Sequence, residues 1–234
     1  MSAVDDTALL RDEQERSSDS IDWDRVLTIN YRSYITPDAL VIDAGAGDGL
    51  QSRRLRRYVR PSQLFLVEPD PKAAAKLRFQ WARKRGITVV QVALGAEEEK
   101  GDDVEVDRLD DWTLPGALDF LRVAAGGHVE GVLTGAAAVI GRDRPTIGVE
   151  GHPDPAVLAA AGSRHELTVV DLLGNVVPSA EAPEVFAYQP AAILLPTERV
   201  EQGERSRAIL RAEVLRSIGN YRPSRERLKR WLGA

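Results

Sequence analysis

Three glycines and two acids are the residues of this chain best placed to do chemistry. Val41-Ile42-Asp43-Ala44-Gly45-Ala46-Gly47-Asp48-Gly49 ends an apolar run with an acid and then sets glycine at three alternate positions. A strand turning sharply into a helix needs residues that tolerate unusual φ and ψ, and a ligand pressed against backbone needs positions without Cβ; glycine serves both needs. Glu68 closes the next apolar run, 25 positions after Asp43, where a carboxylate can accept both hydroxyls of a ribose. The dinucleotide fingerprint G-x-G-x-x-G is not met: the third glycine comes one position early and Leu50 takes the fingerprint place. Neither a P-loop G-x-x-x-x-G-K-[ST] nor a Tyr-x-x-x-Lys pair is present, which disfavours a phosphate cradle and nicotinamide-dependent reduction.

The elements that must position these residues follow from periodicity. Ala39 to Asp43 and Leu64 to Glu68 are short continuous apolar runs, suited to parallel strands buried on both faces. A helix is expected from Gln51 to Val59 and a second after Asp70, with Pro71 in its first turn, Ala74, Leu77 and Trp81 on its inner face, and Gly86 at its far end. Thr88 to Val92 completes a β-α-β-α-β unit, so this half reads as a doubly wound sheet. Further on, Val104 and Val106 suggest an edge strand, Leu118 to Val123 and Pro145 to Glu150 the fourth and fifth strands, and His128 to Ile140 a single alanine-rich helix. Pro153, Asp154 and Pro155 open a helix ending near Gly162. Leu167 to Leu173 and Ala191 to Leu195 suggest an antiparallel hairpin at the end of the sheet. Asp22 to Tyr34 reads as an entry helix.

The pattern D-x-G-x-G-x-G resembles the first motif of class I S-adenosylmethionine-dependent methyltransferases, and Glu68 matches their strand-two acid. The narrower resemblance is to the FkbM family, carried by Asp43-x-Gly45-Ala46 with Gly49, Val67-Glu68-Pro69-Asp70-Pro71, Ala93-Leu94-Gly95, Arg108-Leu109-Asp110, Leu133-Thr134-Gly135-Ala136 and Pro145 to Glu150, in that order over about residues 22 to 197. It implies an α/β fold of the class I methyltransferase (Rossmann-like) type, a doubly wound seven-stranded sheet with an antiparallel last strand. It also implies S-adenosylmethionine as cofactor and methylation of a hydroxyl on a sugar, glycan or secondary metabolite. Cofactor-binding residues are then expected at Asp43, Gly45, Ala46, Gly47, Gly49 and Glu68, with Ala93 near the adenine.

One family element is altered. Where the family shows K-I-D-x-E-G-x-E after the fourth strand, this chain has Arg122-Val123-Ala124-Ala125-Gly126-Gly127-His128-Val129. Methyl transfer is an in-line displacement in which something takes up the hydroxyl proton, and Ala124 and Gly126 cannot. Candidate catalytic residues are therefore His128, beside the altered loop, and Glu150 and His152, at the end of the fifth strand; a histidine with an ordinary pKa of about 6.5 suits a general base. The alternative is a catalytically degenerate binding or scaffold domain. Asp110 reads either as a site residue or as a helix cap. No clustered acids suggest a metal site.

Composition bounds the rest. The 234 residues carry 43% apolar and 29% charged side chains, enough for a globular core. A net charge of −5 gives no drive toward nucleic acid, and zero cysteines exclude thiolate chemistry. No apolar run approaches a membrane span and the first residues lack a secretory core, so a cytoplasmic protein is expected. The organisation expected is an acidic disordered leader over 1–20, a methyltransferase-like domain over 21–200 and a basic helical extension over 201–234. Residues 1–30 carry net −5 and residues 205–234 net +7, so the two termini are expected to attract one another. Apart from the acceptor, partners expected are a protein or an anionic membrane surface contacted by the basic C-terminal helices, with docking on the chain itself or a partner preferred. Arg53, Arg54, Arg56, Arg57 and Arg60, crowding the helix after the glycine loop, read as a solvated face.

Overall fold

Alternation along the first strand decides how the layers assemble. In the computed structural model, which describes residues 2–16, 21–58, 60, 62–100, 104–124, 126, 128–202 and 209–214, β1 (Leu40–Ala44) is buried throughout. Leu40, Ile42 and Ala44 enter one apolar cluster, while Val41 enters another. A strand with helices on both sides must bury both faces, which explains a run without polar alternation.

Seven strands form the main sheet: β1, β2 (Gln63–Val67), β3 (Ile87–Val90), β7 (Phe120–Val123), β8 (Thr146–Glu150), β9 (Leu167–Val170) and β10 (Ala191–Pro196), in the order β3-β2-β1-β7-β8-β10-β9. The five strands from β3 to β8 run parallel, and β10 runs antiparallel to both β8 and β9. This is the seven-stranded class I methyltransferase architecture, with its chain-last strand reversed. The expected terminal hairpin is present as a pairing, but β10 sits inside the sheet between β8 and β9. Three shorter strands, β4 (Ala93–Leu94), β5 (Glu99–Lys100) and β6 (Glu105–Asp107), form a ribbon in the order β4-β6-β5.

The helices are α1 (Ala3–Arg16), α2 (Trp23–Arg32), α3 (Leu50–Tyr58), α4 (Pro71–Trp81), α5 (Val129–Gly135), α6 (Ala137–Asp143), α7 (Pro155–His165), α8 (Ala182–Tyr188) and α9 (Thr197–Gln202). On one face, α5 to α8 supply Leu133, Ile140, Leu158 and Phe186 to the core; on the other, α2, α3 and α4 supply Tyr31, Leu55 and Leu77. The caps are those the sequence indicates: Asp70 accepts from the Ala73 amide at 2.7 Å and Asp154 from the Ala156 amide at 2.8 Å, each followed by proline.

Two expectations are corrected. The acidic leader is not without structure: residues 3 to 16 form α1, because Ala3, Thr7 and Leu10 make a narrow stripe that is buried. Asp6, also buried, pairs with Arg211. Arg11 lies over the Tyr188 ring at 5.2 Å from its centre. The single helix expected over His128 to Ile140 is two, broken at Ala136 (φ −110°, ψ 10°). Asp110 supplies the cap at the break, its carboxylate accepting from the Ala138 and Val139 amides at 3.1 and 2.9 Å. The stretch from Pro178 to Pro190 carries α8.

The segment 209–214 is helical and lies against α2 and α1: Leu210 and Val214 are buried in the same cluster as Leu10 and Tyr31, and Glu213 pairs with Arg32. This part of the basic extension docks on the chain itself. Arg216 to Arg230, with the second apolar stripe of Leu228, Trp231 and Leu232, lies outside the described residues.

Candidate functional site

The carboxyl ends of β1 and β2 open into a cavity of about 1040 Å³. Its walls come from four places: Ala44, Gly45 and Gly47 after β1; Val67, Glu68 and Pro69 after β2; Val92 to Ala96 with Glu99, Val104 and Val106 of the ribbon; and Ala124, Gly126, His128 and the α5 residues Glu130 to Val132 and Thr134. Crevices at the carboxyl edge of a parallel sheet are where such folds hold ligands.

The glycine loop is built as its spacing requires. Gly45, Gly47 and Gly49 have φ of 79°, 55° and 75°, a region that L side chains rarely adopt. The Gly45 and Ala46 amides both donate to the Val67 carbonyl, at 2.9 and 3.1 Å, folding the loop over the end of β2. Gly47 and Gly49 then do different work. At Gly47 a Cβ would meet nothing within 4 Å, so its α-carbon faces open space in the cavity wall. At Gly49 a Cβ would lie 2.6 Å from Leu77 Cδ2, so this glycine lets α4 pack close and does not line the cavity.

Glu68 is 7% exposed and lines the same cavity. Its Oε2 accepts from the Gly47 amide at 2.6 Å and its Oε1 from the Asp70 amide at 2.9 Å. An ionised carboxylate has about four acceptor positions, so those two bonds fix its orientation and leave acceptor capacity. An open α-carbon, an oriented carboxylate, and apolar walls from Val67, Pro69, Val92 and Leu94 together fit an adenosyl group.

Asp43 has another task. It is fully buried, accepts from Ser52 Oγ, and forms an ion pair with Arg122 Nη1 at 2.5 Å. Arg122 also grips Glu150 with two nitrogens, Nε to Oε1 at 2.6 Å and Nη2 to Oε2 at 2.5 Å, and Tyr31 Oη donates to Glu150 Oε1 at 2.6 Å. Register explains the cluster. Asp43 stands opposite Arg122, Arg122 opposite Gly148, and Glu150 is two residues beyond on the same face. At Gly148 a Cβ would lie 2.7 Å from the Tyr31 ring, so this glycine leaves the space that Tyr31 occupies. Burial, reinforced by Glu150, raises the Tyr31 pKa well above 10. Burial works against the Arg122 charge, but Asp43 and Glu150 outweigh it and hold the guanidinium firmly protonated.

The expected site residues thus divide. Gly45, Gly47, Glu68, Ala93 and His128 line one cavity. Asp43, Ala46, Gly49, Glu150 and His152 do not: Asp43 and Glu150 neutralise Arg122, Ala46 and Gly49 serve packing, and His152 is exposed after β8. His152 takes φ of 53°, its amide donates to the Pro190 carbonyl at 3.1 Å, and its Nδ1 lies 3.4 Å from the Phe186 carbonyl oxygen. Ala124 and Gly126 do border the cavity, so the altered loop contributes no carboxylate at those positions. Two carboxylates that the spacing did not suggest, Glu99 on the ribbon and Glu130 on α5, line the cavity as well. The nearest signal for Glu130 was its place two residues after His128. Among the described residues no group of His, Asp or Glu could hold a metal ion, and no helix is long and apolar enough to cross a membrane.

No family model matches the chain. Over 58 residues it is 45% identical to the 2-O-methyltransferase NoeI of Sinorhizobium fredii, a stretch making up 25% of this chain and 24% of that protein. The structure aligns with that of methyltransferase FkbM from Methylobacillus flagellatus KT at a TM-score of 0.54 and 15% identity, covering 70% of this chain and 47% of that one. The matched portions thus span about a quarter of the one relative and about half of the other. The fold is that of a class I methyltransferase, and the short stretch of sequence similarity is to a 2-O-methyltransferase.

Proposed function

We propose that this chain is an FkbM-type, S-adenosylmethionine-dependent O-methyltransferase acting on a hydroxyl of a sugar, glycan or secondary metabolite. The observation that carries this reading is the convergence of Gly47, with open space at its α-carbon, and the oriented Glu68 carboxylate at two neighbouring strand ends. The similarity to a 2-O-methyltransferase supports a hydroxyl acceptor.

Glu68 would hold the ribose hydroxyls, the Gly45 to Gly47 backbone would run beside the amino-acid portion, and Ala93 and Leu94 would flank the adenine. When bound, the cofactor supplies a methyl group made electrophilic by its sulfonium. His128, on the α5 side of the cavity, would take up the proton that the acceptor hydroxyl gives up on methylation. Glu99 and Glu130 orient acceptor hydroxyls by accepting hydrogen bonds, the task that the acids missing at 124 and 126 would otherwise perform.

Calorimetric titration with S-adenosylmethionine and its demethylated product tests the cofactor. Glu68→Ala removes hydrogen bonds to a charged acceptor, each worth about 1.5–3 kcal/mol, so affinity should fall by roughly tenfold or more for each ribose hydroxyl engaged. A folded wild type that binds neither compound would overturn the assignment. The degenerate-domain alternative draws on Ala124 and Gly126; methyl transfer to any hydroxylated acceptor eliminates it.

A further inference from the structure

A second cavity, of about 590 Å³, lies between α2 and α3 and shares no lining residue with the first. Two helical stripes face each other across it. From α2 come Arg25, Ile29 and Arg32, and from α3 come Leu50, Arg53, Arg54 and Arg57, both at the spacing of one helix face. Arg53, Arg54 and Arg57, read from the sequence as part of a solvated face, are instead one wall of a cleft.

Five arginines on this lining face two carboxylates, Asp22 and Glu213, in a chain whose net charge is −5. The existing contacts hold the guanidiniums in place more than they exhaust them. Arg54 lies 3.2 Å from Asp24, Arg53 donates to the Asp48 carbonyl at 2.8 Å and to Gln80 at 3.0 Å and lies 3.8 Å from the Asp48 carboxylate, and Arg32 pairs with Glu213. The Asp22 carboxylate is engaged as a helix cap, accepting from the Arg25 amide at 2.9 Å. Each guanidinium has five N–H donors in a planar fork, so donors remain on Arg32, Arg53 and Arg54 for an incoming anion, and Arg25 and Arg57 add their charge to the same lining. Between the arginines, half-buried Ile29 and 39%-exposed Leu50 offer apolar surface.

We propose that this cleft binds a phosphate-bearing small molecule, its phosphate or diphosphate held by guanidiniums from both helices and its organic body resting on Ile29 and Leu50. Arginine forks pair two-pronged with carboxylate and phosphate alike, but guanidiniums converging from two helices match the greater charge and the additional oxygens of a phosphate better than the single charge of a lone carboxylate. The volume is in the range of small-molecule sites, and the surface is concave where a membrane would require a flat or convex face. This site stands independently of the cofactor reading.

Inorganic pyrophosphate is the probe, titrated by calorimetry and followed by phosphorus NMR on the full chain. Binding should weaken at least tenfold in Arg25→Ala/Arg57→Ala and hold within twofold in Arg83→Ala/Arg85→Ala, which removes two exposed arginines elsewhere, and in Glu68→Ala. Because either double variant can lose stability, circular dichroism of each is compared with wild type, and Arg25→Lys/Arg57→Lys, which keeps charge but not the fork, should show an intermediate loss. No pyrophosphate binding, or equal weakening in the Arg83/Arg85 control, overturns the proposal. So does binding to phosphatidylglycerol–phosphatidylcholine vesicles without binding of soluble pyrophosphate, which would reassign the arginines to a membrane surface.

Discussion

Arg122→Met is the substitution with the most to say about how the floor of the candidate site is held. The arginine is 6% exposed and stands between Asp43, 0% exposed, and the largely buried Glu150, with three nitrogens at 2.5 to 2.6 Å from their oxygens. Methionine preserves much of the volume but leaves two carboxylates without a cation. Breaking a buried ion pair by removing one partner costs about 3–5 kcal/mol, mainly because an uncompensated charge stays behind. For a chain of this size each kcal/mol moves the melting temperature by about 2–4 °C, so a fall of roughly 6–20 °C is expected. Thermal and urea unfolding, followed by far-ultraviolet circular dichroism, measure it. Arg122→Lys keeps the charge but not the two-pronged contact with Glu150 and should fall between. Arg122→Met combined with Glu150→Gln should cost less than the two singles added, since the residues share one network. A loss below about 1 kcal/mol in Arg122→Met, or strict additivity in the double variant, would refute the reading of the cluster as a mutually neutralising unit.

Three other outcomes are expected. In Gly135→Ala the new Cβ would fall 1.8 Å from the Gly95 carbonyl oxygen, a backbone atom that cannot rotate away; unfolding should show a loss of about 1–3 kcal/mol or more, with weakened cofactor binding because Gly95 lines the cavity. Asp171 is fully buried, and burial raises its pKa from 3.8 to about 6 against opposing hydrogen bonds from Asn175 and Gln189. A carboxyl that holds its proton more tightly when folded contributes stability at low pH and loses it as pH rises from about 4 to 6. The wild type should therefore lose ground against Asp171→Asn across that window in pH-dependent urea titrations, and a flat difference would contradict the shift. Finally, His128→Ala should lower the rate of methyl transfer by about 10²- to 10⁴-fold while His152→Ala leaves it within a few-fold, measured by release of the demethylated cofactor; the reverse order would relocate the base to the β8 end.

The parts of this fold that could be read from the sequence are those set by neighbours along the chain. The apolar runs of β1 and β2, the glycines between strand and helix, the Asp70–Pro71 cap and the place of Glu68 all follow from local spacing. What escaped required contacts between distant segments. Asp43, by type and position, resembles a ligand-binding acid, and only the register of β1, β7 and β8 shows that Arg122 claims it. α1 was missed because its buried stripe of Ala3, Thr7 and Leu10 is made mostly of small residues among charges, too weak a periodic signal until Arg211 and α8 are brought against it. The break at Ala136 depends on Asp110, 26 positions earlier, reaching the amides of Ala138 and Val139. The arginines after the glycine loop were legible as a helix face, while the cleft they line depends on α2 lying alongside.

The tie among Asp43, Arg122 and Glu150 has a mechanical consequence for the first cavity. It rivets three adjacent strands together just beneath the rim, so that side of the chamber cannot spread to admit a guest. The opposite side rests on three strands of only two or three residues each. The chamber is thus tied by buried charge along one edge and framed by short pairings along the other, where Glu99, Val104 and Val106 form its wall.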